Sequence, residues 1–281
     1  MRFTFALFST CMAVVLTAAD AAQLRSVAER AGPAVIAVRV VSSVNLTIMG
    51  QNRALDQETD AVGVVVDPSG LCVVMLNDLD PSAMFKAMLG GNPMIKIDSQ
   101  LKEASYRLAD GSEVPAELAI KDAELGLAVL RPKTAGTTYP ALAPQAGAKI
   151  QLGDRVTAVS RAPRFVTATV LVNEILVNGA VAGPQPYAIV SQGATTSAAI
   201  CNNDGQLIGV LSSKSPPAKE ANKAAEMDPM AGLTSAMEAK NLVPVAIIRP
   251  ADALRKLIDQ AKAAPATPAV PVAPAAPATK P

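Results

Sequence analysis

The chain has 281 residues, with 25 Lys and Arg against 24 Asp and Glu, a formal charge of +1 and only 3% aromatic residues. A near-neutral balance without a basic cluster leaves no electrostatic footprint for nucleic acid or an anionic membrane surface, and a chain lacking Trp is a poor stacking platform for bases or sugars. The absence of His excludes Ser-His-Asp and Cys-His catalysis and every imidazole-bound metal site, so no metal or cofactor is expected.

The first 21 residues read as an export signal. Arg2 supplies a positive start, Phe3 to Ala18 an apolar core too short for a membrane span, and Ala19-Asp20-Ala21 a cleavage site. Cleavage there removes one basic and one acidic residue and leaves a periplasmic or secreted protein without a spanning segment. It also removes Cys11, leaving Cys72 and Cys201 in apolar strand-like runs. A buried thiol there behaves as a small hydrophobe. An oxidising compartment would permit a bridge, but nothing in the sequence fixes the Cα separation one requires.

Leu24, Val27 and Ala28 give a short helical pattern that Pro33 ends. From Ala34 to Val41 β-branched residues alternate with period two, which predicts a strand, and the polar stretch Ser42 to Asp60 predicts a long loop. Val62 to Val66 and Leu71 to Leu76 flank Asp67-Pro68-Ser69-Gly70, a hairpin with Pro and Gly where a type I turn places them. Asp80 to Gln100, with Pro81, Gly90, Gly91 and Pro93, predicts an irregular insertion. Tyr106 to Leu108, the Asp110-Gly111 turn and Val114 to Ile120 predict a second hairpin, and Leu127 to Leu130 a further strand. Thr134 to Gly147 reads as a linker between halves.

The second half repeats the style, with strands expected at Arg155 to Val159, Val166 to Val172, Tyr187 to Val190, Ile200-Cys201 and Gln206 to Leu211. Ser215 to Asn241, rich in Ala, Lys and Glu around Met227, Met230 and Met237, reads as a mobile or weakly helical flap. A strand at Val243 to Ile248 precedes a helix starting at Pro250, where Leu254, Leu257, Ile258 and Ala261 share one face. Residues 263–281 form a disordered tail with Pro at every third position from Pro265 to Pro277. As polyproline II, at about 3.1 Å per residue, it makes a solvated spacer of roughly 50 Å.

Several of these pieces carry a family resemblance. Ala61 to Gly70, then Leu108-Ala109-Asp110-Gly111 with Ala116, then Asp122 followed by Leu127-Ala128-Val129-Leu130, resemble the first barrel of HtrA/Deg-like trypsin-fold serine proteases. Leu152 to Val156, Thr167 to Val172, Asp204-Gly205-Gln206-Leu207-Ile208-Gly209-Val210 and Ile247 to Ile258 resemble the second. The similarity runs from about Ala22 to Lys262. It implies an all-β fold of two antiparallel six-stranded barrels, over 22–145 and 146–262, with a C-terminal helix. No peptide-binding PDZ module follows that helix, where the family often has one.

The resemblance also locates the catalytic positions, and each is altered. Asn77 stands at the family's histidine, and an amide cannot take a proton from a hydroxyl near neutral pH. Gly126 stands at its aspartate. Around the nucleophile the chain reads Ala194-Thr195-Thr196-Ser197-Ala198-Ala199-Ile200, with Thr196 in the serine's place and Ser197 beside it. The glycines that turn backbone N–H groups toward an oxyanion are missing there, and the loop Ser160 to Phe165 departs as well.

The expectation is therefore an exported pseudoprotease that binds an extracytoplasmic protein or peptide without cutting it. The alternatives are a residual hydrolase using Thr196 or Ser197, and a purely structural exported domain. Ser212, Ser213 and Lys214 form a possible Ser-Lys site but read as a solvated strand end. The acid pairs Asp78/Asp80 and Asp122/Glu124 read as surface turns rather than calcium ligands.

Overall fold

The structure, a computed structural model, describes residues 21–48, 51–82, 95–108, 110–163, 169–191, 197–214 and 245–265. Nearly all of the expected export signal, Thr196, the flap expected over 215–241 and the expected tail from 266 onward lie outside these residues. Helix α1 (21–31) buries Val27 and Ala31, and a 3-10 turn at Gly32–Ala34 carrying Pro33 ends it.

Strands β1 (Val35–Ile48), β2 (Gln51–Val65), β3 (Cys72–Met75), β4 (Ile95–Arg107), β5 (Glu113–Asp122) and β6 (Leu127–Pro132) close a barrel in the order β1-β2-β3-β6-β5-β4. The short helix α2 (Leu76–Leu79) follows β3 directly. Strands β7 (Arg155–Arg161), β8 (Val170–Val181), β9 (Tyr187–Val190), β10 (Ala198–Cys201), β11 (Leu207–Lys214) and β12 (Val245–Pro250) close a second barrel, ordered β10-β11-β12-β9-β8-β7. Every pairing within them is antiparallel. Helix α3 (Ala251–Ala263) then buries Leu254, Leu257, Ile258 and Ala261, the face its spacing predicts. The expected all-β class is thus what the chain adopts, and two closed six-stranded barrels fit a trypsin-like double-barrel fold.

Period-two alternation explains how the barrels join. On β6, Ala128 and Leu130 face the interior of the first barrel, while Leu127 and Val129 face outward into a second apolar cluster. On β10, Ala198 and Ile200 fill the second barrel, while Ala199 and Cys201 face the same outer cluster. That shared cluster takes Val27 and Ala31 from α1 and Leu254, Leu257, Ile258 and Ala261 from α3. The strands meeting there are buried on both faces, which is why their sequence reads as continuous apolar runs.

Three expectations require correction. Ser42 to Asp60 is no loop, because β1 and β2 pair in unbroken register from Val35↔Val64 to Ile48↔Gln51. Cross-strand ion pairs stabilise this polar ribbon, and period-two hydrophobicity is lost where both faces of β2 meet solvent. The insertion expected over Asp80 to Gln100 includes the start of β4, which pairs with the extended β1 from Ile48↔Ile95. The strand expected from Val166 to Val172 runs instead from Val170 to Val181, carried on by pairing first to β7 and then to β9.

Candidate functional site

The boundary between the barrels is built around one turn. Between β5 and β6 the Asp122 carboxylate accepts from the N–H groups of Glu124 and Leu125, each at 2.9 Å. The opposite polarity of the same turn is met from the second barrel. Arg249 on β12, 2% exposed, donates to the carbonyl oxygens of Glu124 at 2.6 Å and Leu125 at 2.9 Å. Burial lowers the pKa of this guanidinium, with Asp122 and Tyr187 opposing that shift. Arg161 on β7 makes a comparable crossing to the carbonyls of Val35 and Gly32.

The turn ends at Gly126, in the left-handed region at φ +68°. Its carbonyl oxygen accepts from Leu76 N at 3.0 Å and from the Ser212 hydroxyl at 3.4 Å. A Cβ at this position would lie 3.3 Å from the Ser213 carbonyl oxygen and 3.4 Å from Ser212 Oγ. Any side chain here would therefore press on β11. Two residues after β3 ends, on α2, the Asn77 amide donates to the Ser213 hydroxyl at 3.2 Å.

The structure thus brings Asn77 and Gly126 together against Ser212 and Ser213. Ser197 is fully buried at the start of β10, with its hydroxyl 3.5 Å from the Leu211 carbonyl oxygen. Thr196 lies outside the described residues. The reading of Ser212 to Lys214 as a solvated strand end applies to Lys214 alone, because Ser212 is fully buried at the inter-barrel boundary. The Lys214 ammonium sits 4.5 Å from the Tyr187 ring centroid, and the Arg249 guanidinium approaches the same ring at 5.6 Å.

An edge of β11 that has no strand partner among the described residues is the second feature of this boundary. Residues Ser212, Ser213 and Lys214 pair with Ile247, Ala246 and Val245 of β12 on one side. On the other side β10 reaches only as far as Ala198, opposite Leu211, and no described strand continues beyond it. Unpaired N–H and C=O groups of such an edge are a template for an added strand.

Of the paired acids, Asp80 accepts from the N–H and hydroxyl of Ser82 and from the Ser99 hydroxyl, and Asp122 closes its own turn. Asp78 differs from both. It is half-buried on α2, and desolvation raises its carboxyl to about 7. Both cysteines are free and buried. Cys72 lies in the first barrel's interior and Cys201 in the shared cluster.

The apolar pocket of about 370 Å³ at one mouth of the second barrel, lined by Ile150, Tyr187, Ile248 and Asp252 among others, includes none of Asn77, Gly126 and Ser213. Among the described residues, no helix is long and apolar enough to cross a membrane. No family model matches the chain, and no curated protein is similar to it.

Arg249 is the boundary residue that sequence reasoning passed over, while Ser212 and Ser213 were weighed only as part of a Ser-Lys trio and not as neighbours of Asn77 and Gly126. An arginine inside Val-Ala-Ile-Ile-Arg-Pro was a usable signal, since a charge amid a buried strand needs partners.

Proposed function

We propose that this chain is an exported, catalytically inactive relative of the HtrA/Deg trypsin-like endopeptidases, which binds an extended segment of an extracytoplasmic protein along the edge of β11 that no described strand covers. The observation that carries the reading is the position of that edge. It lies in the boundary between two barrels, beside Asn77 and Gly126, where the resemblance puts the family's cleft. Strand addition there supplies main-chain hydrogen bonds whatever the sequence of the guest. Lys214, exposed at the end of the edge with no carboxylate within 4 Å among the described residues, favours a guest with an acidic side chain near that end.

The absence of turnover has separate support. A serine is activated by a base in hydrogen-bond reach and by a third group that orients the base. Asn77 is an amide already donating to Ser213, Gly126 has no side chain, and Ser197 is sealed from solvent. Next to Asn77, desolvation raises the Asp78 carboxyl to about 7. Among the described residues, no hydrogen bond joins it to Ser197, Ser212 or Ser213.

Hydrogen exchange of the folded chain with and without extended, acidic casein-derived peptides tests the proposal. Protection gained at Ser212 to Lys214, with the peptides recovered intact, is expected. Cleavage of the peptides, or labelling of Ser197 by a fluorophosphonate, would establish the hydrolase reading instead. Binding that protects other strands and leaves β11 unchanged would rule out the edge.

A further inference from the structure

The first barrel extends into a three-stranded ribbon. From Arg39 to Ile48, β1 is flanked by β2 on one side and β4 on the other. Strand β2 meets β3 only at Val64↔Val73 and Val65↔Cys72, so among the described residues its outer edge is unpaired from Gln51 to Gly63. Residues Gln51 to Glu58 are all exposed.

Edge strands usually carry devices that block pairing, such as a bulge, a proline or a lysine. The two edges of this ribbon differ in that respect. Strand β4 has a register shift at Lys102, which is skipped between Val41↔Glu103 and Ser42↔Leu101. Strand β2 runs in unbroken register along β1 and holds neither Pro nor Lys from Gln51 to Val65. It also exposes Leu55 at 60%, one of few large apolar side chains so exposed. Leu55 pairs across the ribbon with Val44, which is 8% exposed, so an apolar stripe runs out to the unblocked edge and stops there.

We propose that this edge pairs with the same edge of a second copy of the chain, joining two ribbons into one continuous sheet. Two identical antiparallel strands in one sheet are related by a twofold axis normal to it, which places residues of like parity opposite each other. The sequence discriminates among the registers this permits. Centring the axis on Asp56 puts two carboxylates face to face. Centring it on Ala54 sets Arg53 against Leu55.

Centring the axis on Leu55 brings that side chain against its own copy and continues the stripe as Val44, Leu55, Leu55, Val44. Arg53 then faces Gln57, Asn52 faces Glu58, Ala54 faces Asp56, and no like charges meet. The two acids add little repulsion, because Asp56 is held by Lys102 at 2.7 Å and Glu58 by Arg39 at 3.0 Å within each ribbon. A second copy satisfies edge, stripe and charge together. The proposal is independent of the β11 cleft.

Sedimentation of the full chain between about 1 and 100 µM, together with disulfide trapping, tests it. A reversible monomer–dimer equilibrium is expected, and Leu55→Asp abolishes it without changing the melting temperature taken at a concentration where the chain is monomeric. Opposed residues at the axis are close enough for a bridge, so Leu55→Cys gives a covalent dimer on non-reducing gels. Gln57→Cys, displaced along the strand from its own copy, does not. A chain that stays monomeric throughout, a dimer that survives Leu55→Asp, or trapping by Gln57→Cys as efficient as by Leu55→Cys would each overturn the proposal. The first result is also the one expected if the ribbon receives a different protein.

Discussion

The side-chain amide of Asn77 donates to the hydroxyl of Ser213 at 3.2 Å, joining the segment that follows β3 of the first barrel to β11 of the second. The bond uses a donor where, on the proposed reading, a trypsin-like site would need an acceptor for a serine proton. Beside it, the Ser212 hydroxyl donates to the Gly126 carbonyl oxygen, so β11 is also held to the turn that ends at Gly126. Position and chemistry at this boundary are therefore coupled, and the next two predictions probe that coupling through the turn.

Arg249 satisfies two carbonyl oxygens of the turn from a site that is 2% exposed. Replacement by Met leaves the buried Leu125 carbonyl and the part-buried Glu124 carbonyl without this donor. We expect a loss of about 2–4 kcal/mol in denaturant unfolding. Arg249→Lys recovers less than half of it, because one ammonium cannot span two carbonyls as a planar guanidinium does. A cost below about 1 kcal/mol for Arg249→Met would show that water replaces the guanidinium.

Gly126 combines a left-handed backbone at φ +68° with contacts of 3.3 and 3.4 Å for an added Cβ. Gly111 has φ +82° and nothing within 4 Å of its added Cβ, so Gly111→Ala measures the conformational cost alone, about 1 kcal/mol. Gly126→Ala should cost about 2 kcal/mol or more and shift hydrogen exchange at Ser212 and Ser213. Equal costs at the two sites would mean that β11 yields without resistance.

Two carboxyls should give stability opposite pH dependences. Desolvation raises Asp78 from 3.8 to about 7, so the folded state holds its proton more tightly than the unfolded chain. Stability must then fall as pH rises from about 4 to 7, and Asp78→Asn should remove that slope and gain roughly 2 kcal/mol at pH 8. At Asp67, burial works against ionisation, but Lys262 at 2.6 Å and the hydroxyl and N–H of Ser69 outweigh it and hold the group at about 2. Its contribution is complete above about pH 4 and lost toward pH 2, so Asp67→Asn should flatten the acid limb only. Melting temperatures across pH 2 to 8 separate the two, and a parallel profile for Asp78→Asn would refute the first.

A Cβ at Gly63 would meet Cys72 Sγ at 2.3 Å and Val38 Cγ2 at 2.9 Å inside the first barrel. Gly63→Ala should therefore cost about 3 kcal/mol. Adding Cys72→Ala, which deletes the nearer atom, should return about 1 kcal/mol or more relative to the sum of the single changes. Simple additivity in a double-mutant cycle would show that Val38 alone carries the clash.

Most of the double-barrel architecture was legible in the sequence, because apolar strands, Asp-Gly turns and the face of α3 are local patterns with a fixed period. The ribbon was not, since Ser42 to Asp60 meets solvent along β2 and carries no apolar alternation to read. Its evidence is non-local, in pairs such as Lys102 with Asp56 and Arg39 with Glu58. At the boundary, Asn77 and Gly126 were reachable by order along the chain. Their contacts with Ser212 and Ser213 depend on how two barrels dock, which no single segment encodes.

Cys72 and Cys201 sit in separate apolar compartments, and burial raises Cys72 well above the usual thiol range and Cys201 to about 12. The native molecule thus presents neither sulfur as a thiolate. Only a chain that has yet to close its barrels exposes both to an oxidant, and a bond formed then would join groups that the finished protein keeps apart. Closure of the barrels is therefore what withdraws both thiols from solvent.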